Sequence, residues 1–298
     1  MKRYVWITFG ALCLLSSNAW IAAPVSPSTL PSLQRQGLLY LIIGVGALLI
    51  CGRKLSSRIK NRPWARVAAA SLAFFAAPAI AIQLASGYVS EINRSALFAM
   101  VPIVVAVALS AIEAGEPAER NARRSLAPAI AGLGGLLLLL PLSLTNSARS
   151  DLMIALISAA VIIVGIAGIQ LYRLLQHFES SDAAAIVCLS NATILLVYAE
   201  ATGSALWSRS DLLSLISPSS LINITEVLLL LWLLRNLPPI QFAARYLLIP
   251  LLTVLEAYAL VRPPLTLRIG AGTILLAAGT AMLLLQHAAE DETSLSLR

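Results

Sequence analysis

Along this chain apolar residues form long unbroken runs, and polar residues appear in short clusters between them. Runs of 17 to 23 residues occupy 4–23, 36–52, 66–86, 94–112, 125–143, 152–173, 183–203, 214–235, 239–261 and 267–287. Each is close to the ~20 apolar residues needed to cross a ~30 Å hydrocarbon layer as a helix. The pattern therefore predicts ten transmembrane helices. The longest polar stretches are Arg53 to Arg66 and the tail from Glu290 to Arg298, which leaves no room for a soluble domain.

One design occurs twice. In the last quarter an apolar helix carries a central proline, Pro250, turns through Pro263-Pro264, and re-enters a helix with Gly270, Gly272 and Gly279. Earlier, residues 95–111 surround Pro102, a turn contains Glu113, Gly115 and Glu116, and residues 127–140 carry Gly132, Gly134 and Gly135. Two copies half a chain apart predict an internal duplication, residues 1–146 and 150–298, joined near Asn146 to Asp151. Each half holds five spans. An odd-numbered repeat fused head to tail inserts its second copy upside down. The expected fold class is thus an all-α integral membrane protein, ten transmembrane helices arranged as two inverted five-helix repeats. Such proteins place a substrate site near the midplane between halves and alternate its access.

Composition agrees. Hydrophobic residues make up 59% of the chain and charged residues 12%. Soluble domains carry about 25% charge to cover a wet surface, so lipid is the solvent here. The net charge of +7 alternates with the spans and is no nucleic-acid footprint. Lys2, Arg3, Arg53, Lys54, Arg58, Lys60, Arg62, Arg66, Arg120, Arg123, Arg124, Arg173 and Arg235 fall in the N-terminus and every second loop. The intervening loops hold Arg35, Arg94, Arg149, Arg209, Arg262 and Arg268. The positive-inside rule then places both termini in the cytoplasm. The first apolar run resembles a signal peptide, but Ser16-Ser17-Asn18 is polar for such a segment, and the run is read as the first helix. Cys13, Cys51 and Cys188 are isolated in apolar context and show no disulfide or metal spacing.

Several residues resemble the ten-helix EamA branch of the drug/metabolite transporter superfamily. Leu247-Leu-Ile-Pro250 through Pro263-Pro-Leu-Thr266 is similar to that family's Leu-Glu-Pro … Leu-Gly-Glu-Arg-Leu-Thr helix and turn, and residues 229–238 to the preceding helix exit. Gly272 and Gly279 match the paired glycines of the last helix. Ser17-Asn18 resembles the Trp-Gly-Ser-Asn of the first, Arg35 the arginine opening the second, and Gly115-Glu116 the hairpin turn. Leu15, Ser16, Ile249 and Pro263 depart from the family pattern. The resemblance implies a central cavity lined mainly by helices 1, 3, 4, 6, 8 and 9, and export or exchange of small metabolites.

Ionisable groups inside spans are costly and so mark candidate sites. Glu226 lies near the middle of span eight and shares a helical face with Ser219 and Asn223. It is read either as a cavity carboxylate, binding a cationic group or a proton, or as an arginine-paired or neutral structural carboxyl. On span nine Gln241, Arg245, Leu252 and Glu256 fall in one arc. Arg245 could snorkel, pair with Glu226 or hold a substrate carboxylate. Glu256 is shallow on the other side. Ser16, Ser17, Asn18 and Trp20 on span one could bond substrate or glue helices together. Pro102 and Pro250 are candidate kinks or hinges. Ala127, Ala131 and Gly135 form a small-residue stripe for close packing, within the chain or between copies. The expected function is a secondary transporter exporting an amino acid, a purine-like or a drug-like compound, with no cofactor, metal or catalytic residues. The bacterial inner membrane is the expected location, with lipid and substrate as partners. A proton or counter-substrate and a homodimer stay open, as do two other readings: a non-transporting scaffold subunit and an intramembrane lipid-carrier processing protein.

Overall fold

The computed structural model describes residues 3–18, 30–51, 63–112, 124–140, 147–209, 212, 215, 217–261 and 266–285. Among these it is all-helical, with ten helical segments: α1 (Arg3–Ser17), α2 (Ser32–Cys51), α3 (Trp64–Ala85), α4 (Glu91–Ile112), α5 (Leu126–Leu139), α6 (Ala148–Leu175), α7 (Ser180–Ala201), α8 (Pro218–Asn236), α9 (Pro239–Val261) and α10 (Leu267–Leu285). Eight are long and apolar enough to cross a membrane. This is a multi-pass membrane protein. The described parts of α1 and α5 run only 15 and 14 residues. Helix α5 stops where Leu140 turns extended (φ −87°, ψ 133°), as the clash with a following proline ring requires.

The ends follow local chemistry. Ser90, Ser147 and Ser217 cap α4, α6 and α8, each accepting the backbone N–H three residues on. Helix α7 ends in a Schellman motif: Ser204 N–H bonds Ala199 O and Gly203 N–H bonds Glu200 O, with Gly203 at φ +63°. Residues Leu72–Ala76 of α3 widen to a π-helical turn. Pro78 follows two residues later, lacks an N–H, and would crowd the carbonyl of Phe74 in a regular helix.

Two helices are broken. Helix α4 divides at Ala99–Met100 into Glu91–Phe98 and Val101–Ile112, with Pro102 in the first turn of the second segment, where its missing N–H costs nothing. Helix α9 divides at Ala244 into Pro239–Ala243 and Arg245–Val261. Pro250 lies inside the second segment without ending it. The α9 break thus sits two turns before its proline.

The closest helix pairs are α2 with α7 and α5 with α10, while α1 packs on α8 and α9, and α6 on α3 and α4. Exchanging every helix for the one five places along returns the same pairing. Glycine permits the α5–α10 crossing. A Cβ on Gly135 would lie 2.4 Å from Leu276 N, and one on Gly279 would lie 2.5 Å from Gly132 N. The close stripe on α5 is therefore Pro128, Gly132 and Gly135, packed within the chain. Ala127, expected in that stripe, is exposed. Polar glue adds to this packing. Asn191, fully buried on α7, donates to Ser71 Oγ on α3 (3.2 Å) and to Val187 O (2.8 Å).

Candidate functional site

A partly polar cavity of about 620 Å³ is bounded by α2, α3, α4, α8 and α9. That volume is within the ~300–1,000 Å³ typical of small-molecule sites. Its mouth lies where α2 begins and α3 ends. There Ser32 Oγ bonds Gln83 Oε1 (3.0 Å), and Arg35 on α2 donates to Ser219 Oγ on α8 (3.0 Å). The interior is walled by Tyr40, Phe74, Phe75, Phe98 and Tyr246.

Two opposite charges line this space from different helices. Glu226 on α8 is half-buried and accepts a hydrogen bond at Oε1 from the Ser16 hydroxyl of α1. Asn223, one turn earlier, lines the same cavity. Arg245 on α9 is only 7% exposed. It forms no ion pair with a described carboxylate, Glu226 included; its guanidinium instead lies 4.3 Å from the Phe242 ring centroid, 4.7 Å from Tyr246 and 5.7 Å from Phe74, and donates to the Tyr246 hydroxyl (2.9 Å). Aromatic faces attract a cation electrostatically, by ~2 kcal/mol or more when desolvated. They hold the guanidinium in place and leave its charge uncompensated, which suits it to an incoming anionic group.

The helix breaks meet here. Phe98 closes the first segment of α4, Tyr246 opens the second segment of α9, and their rings stack at 6.2 Å with 20° between planes. Backbone irregularity at membrane depth is tolerated where protein or a cavity surrounds it. Arg245 and Tyr246, at the start of the second segment, both line the cavity.

The predicted site residues divide accordingly. Glu226, Asn223 and Arg245 share the cavity, and Ser219 reaches it through Arg35. Glu256, expected in one arc with Arg245, faces α1 instead: its Oε1 accepts from Ser17 Oγ (2.6 Å) and Asn18 Nδ2 (3.1 Å), and its Oε2 is buried without a partner among the described residues. The break at Ala244 separates Gln241 from this arc as well, and Gln241 is fully buried away from the cavity. Trp20 lies outside the described residues. Pro102 and Pro250 lie within the second segments of the divided helices and are not the break points. Among the described residues α1 and α6 contribute no cavity wall, in contrast to the lining implied by the resemblance. On α6 the reason is Phe74, which fills the notch at Gly168, where a Cβ would meet its ring at 3.1 Å. The aromatic walls and Gln36 were not singled out from the sequence. Within apolar runs an aromatic facing a cavity has the same local signature as one facing lipid.

Comparisons with known proteins agree with this architecture. A solved crystal structure superposes over 96% of this chain and 99% of its own with a TM-score of 0.71 at 15% identity, which establishes a shared fold. No curated protein sequence matches the chain. The profile of the EamA-like transporter family matches residues 151–285, which span α6 to α10 and include Glu226, Arg245 and both halves of α9. Over residues 151–285 the chain is thus similar to the EamA-like transporter family of the drug/metabolite transporter superfamily.

Proposed function

We propose that this protein is a secondary transporter that exports a small metabolite by alternating access, and is not an enzyme. The observation that carries this reading is that Glu226 and Arg245, unpaired with each other, both line one aromatic-walled cavity beside two divided helices. A substrate with an anionic group and a flat or apolar body suits those walls, which keeps amino acids, purine-like and drug-like compounds in play. Glu226 offers its carboxylate to a cationic group or a proton.

The two halves, 1–146 and 150–298, act as inverted repeats. The helix pairing that maps onto itself under a five-helix shift supports this, since a rocking motion needs two equivalent bodies. Helix α1 ties one half to the other through Ser16 on Glu226 and through Ser17 and Asn18 on Glu256. Breaking these bonds frees α1 from α8 and α9, and we assign them to the closed state of one gate. The basic residues concentrated in alternate loops support cytoplasmic termini in a bacterial inner membrane.

A thermal-shift screen of amino acids, purines and drug-like compounds on purified protein tests the site, because specific binding raises apparent stability by mass action. At least one compound is expected to raise the wild-type Tm and to lose that effect in both Arg245→Leu and Glu226→Gln. Stabilisation that survives both substitutions would remove the cavity from consideration.

A further inference from the structure

A second cavity, of about 350 Å³, lies outside the site just described, between the start of α7 and the end of α8. On α7 the lining is Ala183 and Ala184, whose methyl side chains leave unfilled the space that α8 borders with Leu228 and Trp232. The opening is lateral: Leu228 is 46% exposed on its rim, at a depth where lipid chains are the solvent. The walls are almost wholly apolar except at one end. There Arg235 Nη1 donates to Ser180 Oγ (2.6 Å), and Gln176 Nε2 fixes the Arg235 carbonyl (2.6 Å), so the guanidinium is held at the rim. Arg235 has no ion pair among the described residues, and the Trp232 indole N–H has no described acceptor. Glu179 and Asp182, the carboxylates of the α7 start, do not line the cavity.

This is a polarity gradient of one sign. An apolar slot open to the bilayer ends in a guanidinium, a hydroxyl and an indole N–H, all donors at the membrane edge. Amphipathic rings and basic residues at that depth meet lipid headgroups. We propose that this groove is a binding site for an anionic phospholipid, its phosphate on Arg235 and Ser180 and one acyl chain along Ala183, Ala184 and Leu228. A zwitterionic lipid fills the slot equally well but supplies no net charge for Arg235. The basic loops share this face, which the positive-inside rule assigns to the cytoplasm, so the lipid comes from the inner leaflet. The site stands independently of the transport reading.

Native mass spectrometry of the purified full-length protein, released from mixed micelles with equimolar phosphatidylglycerol and phosphatidylcholine, tests it. Wild type is expected to retain phosphatidylglycerol about fivefold over phosphatidylcholine, the scale of preference one basic residue confers near anionic lipid. Arg235→Gln should bring the ratio close to one, Arg235→Lys should keep most of it, and Ala184→Leu should lower occupancy of both lipids by filling the slot. Lipid-free melting temperatures establish that each variant is folded. Equal retention of the two lipids by wild type overturns the proposal. So does a preference that survives Arg235→Gln, which would place the lipid elsewhere, or full occupancy in Ala184→Leu, which would leave the slot empty of chain.

Discussion

Replacing Gly135 by alanine puts one methyl group where the α5–α10 crossing has no room. The added Cβ would lie 2.4 Å from Leu276 N and 2.7 Å from Gly272 O, about 1 Å inside the 3.4 Å at which ordinary contacts begin. Both neighbours are backbone, so no side-chain rotation relieves the clash and the helices must separate. Overpacking of this kind costs ~1–3 kcal/mol, and a backbone obstacle belongs at the upper end. Alanine also improves helix propensity over glycine by ~1 kcal/mol, which works the other way. Gly134→Ala carries the same propensity gain, but its Cβ meets only Leu275 Cδ2, at an ordinary 3.8 Å. The difference between the two variants therefore isolates packing, at roughly 2–3 kcal/mol. At ~2–4 °C per kcal/mol for a chain of this order, Gly135→Ala should melt about 5–10 °C below Gly134→Ala in the same detergent. Equal melting temperatures, or a higher one for Gly135→Ala, would refute the close crossing.

Arg245→Met should leave stability within ~1–2 kcal/mol, since it trades cation–π attraction for relief of a desolvated charge, yet abolish binding of any compound that stabilises wild type. Paired thermal melts with and without that compound check both parts. Ser17→Ala removes a charge-assisted bond to Glu256 and should lower the detergent melting temperature by the equivalent of ~1.5–3 kcal/mol, with Thr8→Ala, whose hydroxyl bonds only its own helix, nearly neutral. Single cysteines at Arg173 and Thr202, which flank the α7 span, should label from the cytoplasmic and external sides respectively. Labelling of Thr202 from inside would reverse the proposed topology.

The helices were legible because a bilayer leaves few options: every span must be a contiguous apolar helix. Glu226 and Asn223 were legible for the same reason, as polar groups that lipid would penalise. The geometry of α9 was not. Nothing in Phe242-Ala-Ala-Arg245 signals a helix end, and a straight-helix projection carried Glu256 into the cavity when it faces Ser17 and Asn18. The π-helical turn at Leu72–Ala76 could be rationalised from Pro78 only once seen. The stripe on α5 was misplaced by one residue, from Ala127 to Pro128, because alanine and glycine occur on several faces of that helix and only the partner, α10, selects one. What the sequence lacked throughout was the identity of the neighbour.

Flux through Glu226→Gln tests the transport account most directly. The amide keeps the shape and can still accept from Ser16, but it cannot ionise. Since Glu226 does not pair with Arg245, the change strands no partner, and the melting temperature should stay near wild type. Proteoliposomes loaded with labelled amino acids and purines are expected to release at least one compound faster with wild-type protein than without protein, and Glu226→Gln should abolish or uncouple that release at normal stability. Wild-type release by a stable Glu226→Gln protein, or no release above protein-free liposomes by wild type, would contradict the account.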